Sequence, residues 1–199
     1  MKGNNMGKIT NLFIIFLLVC FTGSSCCNSK RSICGNSADS GKDTIYTNFR
    51  EYEETILAYE KNIINQESKN VVIKVQDSNN ICESELMLIG SILDSKNDTI
   101  TILKIENIYG LKQSPHARGS IVVYKNRIRQ GYYSDFYKGF FAETKNNLLF
   151  IKDVKDVDSE GNPIFGVLNT IDFRDEIPQN IFIYTEKDAG DEHCLMKEF

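Results

Sequence analysis

The sequence predicts an α+β chain that is mainly antiparallel β. One N-terminal amphipathic helix is followed by a meander of about seven or eight strands, closing as a half-barrel or a sandwich. Three observations predict this. Apolar residues recur at helical spacing in one clear place, between Asp43 and Glu67. After Asn70 the texture changes to short β-branched and aromatic runs separated by turn residues. No second long helical pattern separates those runs, which argues against a parallel doubly wound sheet.

The helix is expected over Asp43–Glu67. Ile45, Phe49, Tyr52, Ile56, Tyr59 and Ile63 fall on one stripe, while Arg50, Glu51, Glu53, Glu54, Glu60 and Lys61 lie largely away from it. Asp43 is the expected cap, since a carboxylate can accept the unpaired N–H groups of a first turn. The stripe is too short for a coiled-coil seam and suits packing on a sheet.

Strands follow in order. "VVIKVQD" (Val71–Asp77) is the first. "SELMLIGSILD" (Ser84–Asp94) and "TITILKIENI" (Thr99–Ile108) form an expected hairpin around "SKND", although "ICESELMLIGSIL" also suits a helix. "GSIVVY" (Gly119–Tyr124) and "RIRQGYY" (Arg127–Tyr133) flank "KN", where Asn126 tolerates positive φ. "NNLLFIKDV" (Asn146–Val154), "PIFGVLNTIDF" (Pro163–Phe173) and "NIFIYTEK" (Asn180–Lys187) complete the series. The polar tail beyond Lys187 is expected to be loosely held.

The N-terminus carries a different message. Lys2 and Lys8 supply a positive start, and the apolar run Leu12–Phe21 is too short to span a bilayer, which needs about 20 residues. It fits the apolar region of a secretory signal, and Thr22, Gly23, Ser24 and Ser25 give a small-residue exit. From Ser24 to Cys26 the stretch resembles the lipobox of bacterial lipoproteins, in the looser form seen in Bacteroidota. The resemblance covers about the first 26 residues. Gly23 stands where that pattern prefers a branched apolar residue, and Gly23 with Ser25 also satisfies a plain export site. The resemblance implies that Cys26 becomes the first mature residue, its sulfur carrying diacylglycerol and its amine an acyl chain such as palmitate. The domains expected are then a signal at 1–25, a Ser-, Asn- and Gly-rich tether at 26–42 and one folded domain at 43–199. The implied location is the cell envelope, anchored to the outer membrane, with the membrane itself as a partner through the lipid.

Removing the signal takes away Lys2 and Lys8 and moves the net charge from −4 to −6. That acidity argues against a nucleic-acid partner. With Cys20 lost and Cys26 lipidated, four cysteines remain: Cys27, Cys34, Cys82 and Cys194. Three pairings are open. A Cys82–Cys194 bridge is favoured because it would tie the tail to the body.

The chemistry-bearing patterns are sparse. "GYYSDFYKGFF" (Gly131–Phe141) is the densest aromatic cluster, read chiefly as core. The segment Asn107–Ser134 has no acid and contains Arg118, Arg127 and Arg129. On one strand, Arg127 and Arg129 would share a face able to bind carboxylates or phosphates. With Tyr132 and Tyr133 beside them, these form the expected ligand-binding group, for a glycan, a small anion or an envelope protein. "DVDSEGNP" (Asp156–Pro163) partly matches a calcium loop, but Val167 stands where the bidentate Glu belongs, so a hairpin loop is expected. His116 and His193 are the only histidines, and neither sits in a metal or catalytic motif. No catalytic residue, metal or cofactor is implied. The reading is therefore a non-catalytic envelope binding domain. Its rivals are an assembly subunit and a glycan hydrolase.

Overall fold

The computed structural model describes residues 42–65, 70–187 and 189–197. The signal, Cys26 and the tether up to residue 41 lie outside the described residues, as do Cys27 and Cys34. Everything described falls in one compact unit. It is mostly antiparallel β with one short helix, and its sheets are open; none closes into a barrel.

The chain enters as β1 (Asp43–Thr47), crosses through α1 (Tyr52–Ile64) and returns as β2 (Asn70–Val75). β1 and β2 pair in parallel, so a crossover is required and the helix supplies it. The helix therefore starts nine residues after Asp43, and Asp43 is a strand residue, not a cap. "TIYT" is β-branched and aromatic, and β2 offers it a ladder. The turn into α1 is held by Asn48, whose Oδ1 accepts the Glu51 N–H at 3.1 Å. Glu53 and Glu54 in the first turn and Lys61 in the last suit the helix dipole.

Four long strands extend the sheet: β3 (Asn80–Leu93), β4 (Thr99–Leu111), β5 (Ser114–Lys125) and β6 (Ile128–Phe136). The order is β1-β2-β3-β4-β5-β6, antiparallel from β2 onward. "ICESELMLIGSIL" is thus strand throughout, paired with β4 along its length and bulged at Gly90. A second set covers part of this sheet. β7 (Phe141–Lys145), β8 (Leu148–Lys152) and β11 (Asn169–Asp172) form a three-stranded sheet in the order β11-β8-β7. β9 (Val154–Val157) pairs with β10 (Pro163–Phe165), and β12 (Asn180–Glu186) pairs with β13 (Ala189–Cys194). The described strands outnumber the expected seven or eight, because several are short and β13 is polar.

Strand alternation divides the core in two. On one face Ile63 of α1 packs with Ile73, Leu86, Leu103, Val122 and Tyr124. On the other, Ile102, Ile121, Val123 and Phe136 meet Ile151 and Ile183 from the second layer. Neighbours Ile102 and Leu103, or Ile121 and Val122, thus feed opposite cores. One charged pair is buried within this arrangement. Lys104 Nζ lies 2.7 Å from Glu106 Oε1 and donates to the Phe140 carbonyl, while Gly139 N donates to Glu106 Oε1 at 2.8 Å. The pair's hydrogen-bonding groups fasten the turn after β6, which explains how two charges are tolerated there.

The tail is ordered through a strand that the sequence disguises. His193 is buried and its ring stacks on Phe136 at 4.2 Å. Met196 and Tyr132 exchange backbone hydrogen bonds at 2.9 and 3.0 Å, joining the tail to β6.

Candidate functional site

The β5–β6 turn is built by Asn126 and Arg127, both at positive φ (50° and 68°). Two consecutive left-handed residues make the tight hairpin turn whose twist matches the flanking strands. Asn126 is fixed there: its Oδ1 accepts Thr99 N at 3.0 Å and its Nδ2 donates to Asp98 Oδ1 at 2.8 Å. Arg127 is consequently a turn residue, exposed, and one step outside β6.

Beside this turn lies a cleft of about 380 Å³. Asn126 and Arg127 line it together with the hydroxyl residues Ser91, Thr99 and Thr101, and Ile64 and Leu88 supply apolar wall. Ser91 Oγ and Thr101 Oγ1 are 3.3 Å apart. An arginine and several hydroxyl residues lining one cleft can offer donors to an oxyanion and both donors and acceptors to a sugar. Lys125 is already engaged, pairing with Asp94 at 2.7 Å and Asp98 at 3.0 Å. That bond to Lys125 holds the Asp94 carboxyl below the usual range, and the two aspartates raise Lys125 in return.

The other three expected binding residues do not join Arg127. Arg129 turns inward, and its Nε donates to Glu60 Oε2 at 3.1 Å. The Tyr124 hydroxyl donates to the same oxygen at 2.6 Å, and burial pushes that phenol's pKa up. Glu60 is itself buried, so Arg129 is a structural counter-ion for a helix carboxylate. Tyr132 lies partly buried under the Arg129 guanidinium, 5.4 Å from ring centroid to Cζ. Tyr133 points to the opposite core, fully buried, with its hydroxyl on the Pro178 carbonyl. The shared arginine face fails because a turn residue does not follow the alternation of a strand, and a bulge separates Arg129 from Gly131 in the register.

The favoured disulfide is corrected as well. Cys82 and Cys194 are both free thiols. Cys82 sits opposite Tyr109 in the main sheet and beside the Tyr52 hydroxyl of the helix layer. Cys194 ends β13 and lines a different cleft.

That second cleft, about 420 Å³, lies between β6 and β13. Arg118, Asp135, Tyr137, Asp191, Glu192 and His193 contribute to it. His193 Nδ1 is 2.6 Å from the Ser134 carbonyl, so Nδ1 carries the proton and donates. Its Nε2 is buried with no partner in the described structure. Nearby Asp153 is buried too, accepting Tyr137 N at 3.1 Å and Val154 N at 2.8 Å; burial raises its pKa. The sequence placed His193 in no motif and did not single out Asp153. A polar strand following "NIFIYTEK" was the one available signal for the histidine.

The remaining motifs have structural roles. Tyr133, Phe136 and Phe140 are core, and Tyr137 is exposed. The Asp156–Pro163 loop closes the β9–β10 hairpin: Asp158 Oδ1 accepts Glu160 N and Asn162 N, with Gly161 at φ +84°. His116 is exposed, its ring 5.8 Å from that of Tyr109. Among the described residues no three metal-ligating side chains converge, and no helix is long and apolar enough to cross a membrane.

No protein-family model, no curated protein and no solved structure matches this chain.

Proposed function

We propose that this chain is an envelope lipoprotein, held to the outer membrane through an acylated Cys26, whose β domain binds an anionic ligand such as an acidic glycan without transforming it. The anchoring half rests on one observation: a basic start, a short apolar run and small residues leading directly into Cys26. One acyl chain binds a membrane weakly, whereas two or three hold it stably at about 0.8 kcal/mol per buried methylene.

The binding half is supported by Arg127 beside the Ser91–Thr99–Thr101 hydroxyls. Its neighbours Lys125 and Arg129 are engaged by carboxylates, so Arg127 is the cation the turn presents to the cleft. The two-layered core reads as a sandwich, a rigid support for such a turn.

Two measurements test this. Intact mass and palmitate labelling of the wild type should show an acyl increment that Cys26→Ala abolishes. A panel of uronate- and phosphate-bearing glycans should bind the wild-type chain and lose that binding with Arg127→Gly. Binding unaffected by that change, or confined to neutral glycans, would sink the anion reading.

A further inference from the structure

The strongest unabsorbed feature is an apolar face on the second layer. Phe165, Val167, Leu168, Phe182 and Tyr184 are each between 41 % and 51 % exposed. They are brought together by backbone contacts. The Phe182 and Tyr184 rings lie 4.7 Å apart on the outward side of β12. Asn169 clamps the Tyr184 backbone, bonding its N–H and its carbonyl at once, which seats Val167 and Leu168 next to that strand. Gly166 passes so close to β12 that a Cβ there would come within 2.6 Å of the Thr185 carbonyl oxygen. Among the charges beside it, Lys155 pairs with Glu186 at 2.5 Å, and the exposed Glu192 stands opposite Phe182 in the β12–β13 ladder, at the edge of the face. Single exposed apolar side chains are ordinary, but five in one place, three of them aromatic, form a docking face.

We infer that this face docks onto the lipid bilayer to which the chain is tethered. This rests on the acylation of Cys26 proposed above. The chain between Cys26 and Lys42, where the described domain begins, can reach about 55 Å when extended. A domain of this size has a radius of gyration of about 15 Å, so the leash is long enough for any face to reach the membrane. Tethering also makes the encounter intramolecular, at an effective concentration on the order of millimolar. A face too weakly apolar to bring a free protein to a membrane then holds a tethered one against it. Tyr and Phe suit the headgroup boundary, where a ring can lie in the apolar layer with a polar edge wet. A bilayer also asks for no shape complementarity, which suits a face made of strand side chains and a loop.

The chain has no tryptophan, so a single reporter is unambiguous. The acylated protein carrying Phe182→Trp would be reconstituted into phosphatidylethanolamine–phosphatidylglycerol vesicles with brominated acyl chains. Leu111→Trp, on the β4–β5 hairpin, serves as the comparison. The expected result is blue-shifted emission that loses most of its intensity in the Phe182→Trp protein, with solvent-like emission for Leu111→Trp. Adding Tyr184→Asp should restore the intensity while the protein still floats with the vesicles. Vesicles that float with a solvent-like Phe182→Trp reporter overturn docking and leave anchoring intact. Failure of the wild type to float overturns the anchoring and the docking together. Dimers of the unacylated Cys26→Ala chain that dissociate on Tyr184→Asp overturn docking in favour of a second copy as occupant.

Discussion

The side chain of Asn169 pairs with the backbone of Tyr184 as another strand would. Its Oδ1 accepts Tyr184 N at 2.8 Å and its Nδ2 donates to Tyr184 O at 2.9 Å. Asn169 is buried at the start of β11, so the amide stitches β12 to the three-stranded sheet where no ladder runs between them. Removing it leaves a backbone donor and acceptor unmatched. Asn169→Ala should cost about 1–3 kcal/mol in denaturant unfolding, and Asn169→Asp should also destabilise, because a carboxylate cannot donate to the Tyr184 carbonyl.

Arg127 and Arg129 should separate cleanly. Arg129→Ala leaves Glu60 buried without its guanidinium, an expected loss of about 3 kcal/mol. Arg127→Gly relieves a left-handed non-glycine turn and should raise stability by about 1 kcal/mol. Urea titration of both variants checks this. Equal destabilisation by the two would show that Arg127 is structural and remove it as a binding residue.

The thiols of Cys82 and Cys194 should behave independently. Cys82→Ser and Cys194→Ser are expected to leave the melting temperature unchanged, and the wild type should melt alike with and without reductant. Non-reducing peptide mapping that finds the two joined would contradict the free thiols of the structure.

Stability should fall in acid, with one carboxyl acting the other way. Asp94 is held low by Lys125, Asp98 by Asn126 and Lys125, Asp158 by Asn162, and Asp172 by Arg174. Each contributes stability above the unfolded value of about 3.9, and that contribution is lost as pH falls through the lowered folded value. Asp153 is raised by burial, so its ionisation opposes folding at neutral pH and its protonation relieves this as pH falls toward the unfolded value. Asp153→Asn keeps the acceptor for Tyr137 N and Val154 N. It should raise the melting temperature at pH 7 and abolish any mildly acidic gain. A lower melting temperature at pH 7 would show that the charged form is needed.

The apolar stripe that signalled the helix was genuine from Tyr52 to Ile63, and Asn126, which signalled a tight turn, is where the chain reverses; Asn146 and Asn147, expected in a strand, instead make the turn between β7 and β8. These are local facts, legible because side-chain periodicity and the cost of positive φ act over a few residues. The same stripe misled at Ile45 and Phe49, which continue the helical spacing but precede the helix; Ile45 lies in a strand and Phe49 in the turn after it. Residues 43–47 extend because β2, some twenty-eight residues later, pairs with them. "AGDEHC" became a strand for the same reason: β12 offered it partners, and Phe136 received His193.

What the sequence by itself determined was the mainly antiparallel β class, one amphipathic helix and where most strands fall; it also supplies the export pattern behind the Cys26 proposal. Only the tertiary structure decided which charges face water. Arg127 and Arg129 look equivalent in the chain, yet one sits on a turn and the other reaches Glu60, sixty-nine residues away. Periodicity records the geometry of a residue's neighbours in sequence, whereas a buried carboxylate's need for a counter-ion is settled by whatever the fold brings beside it.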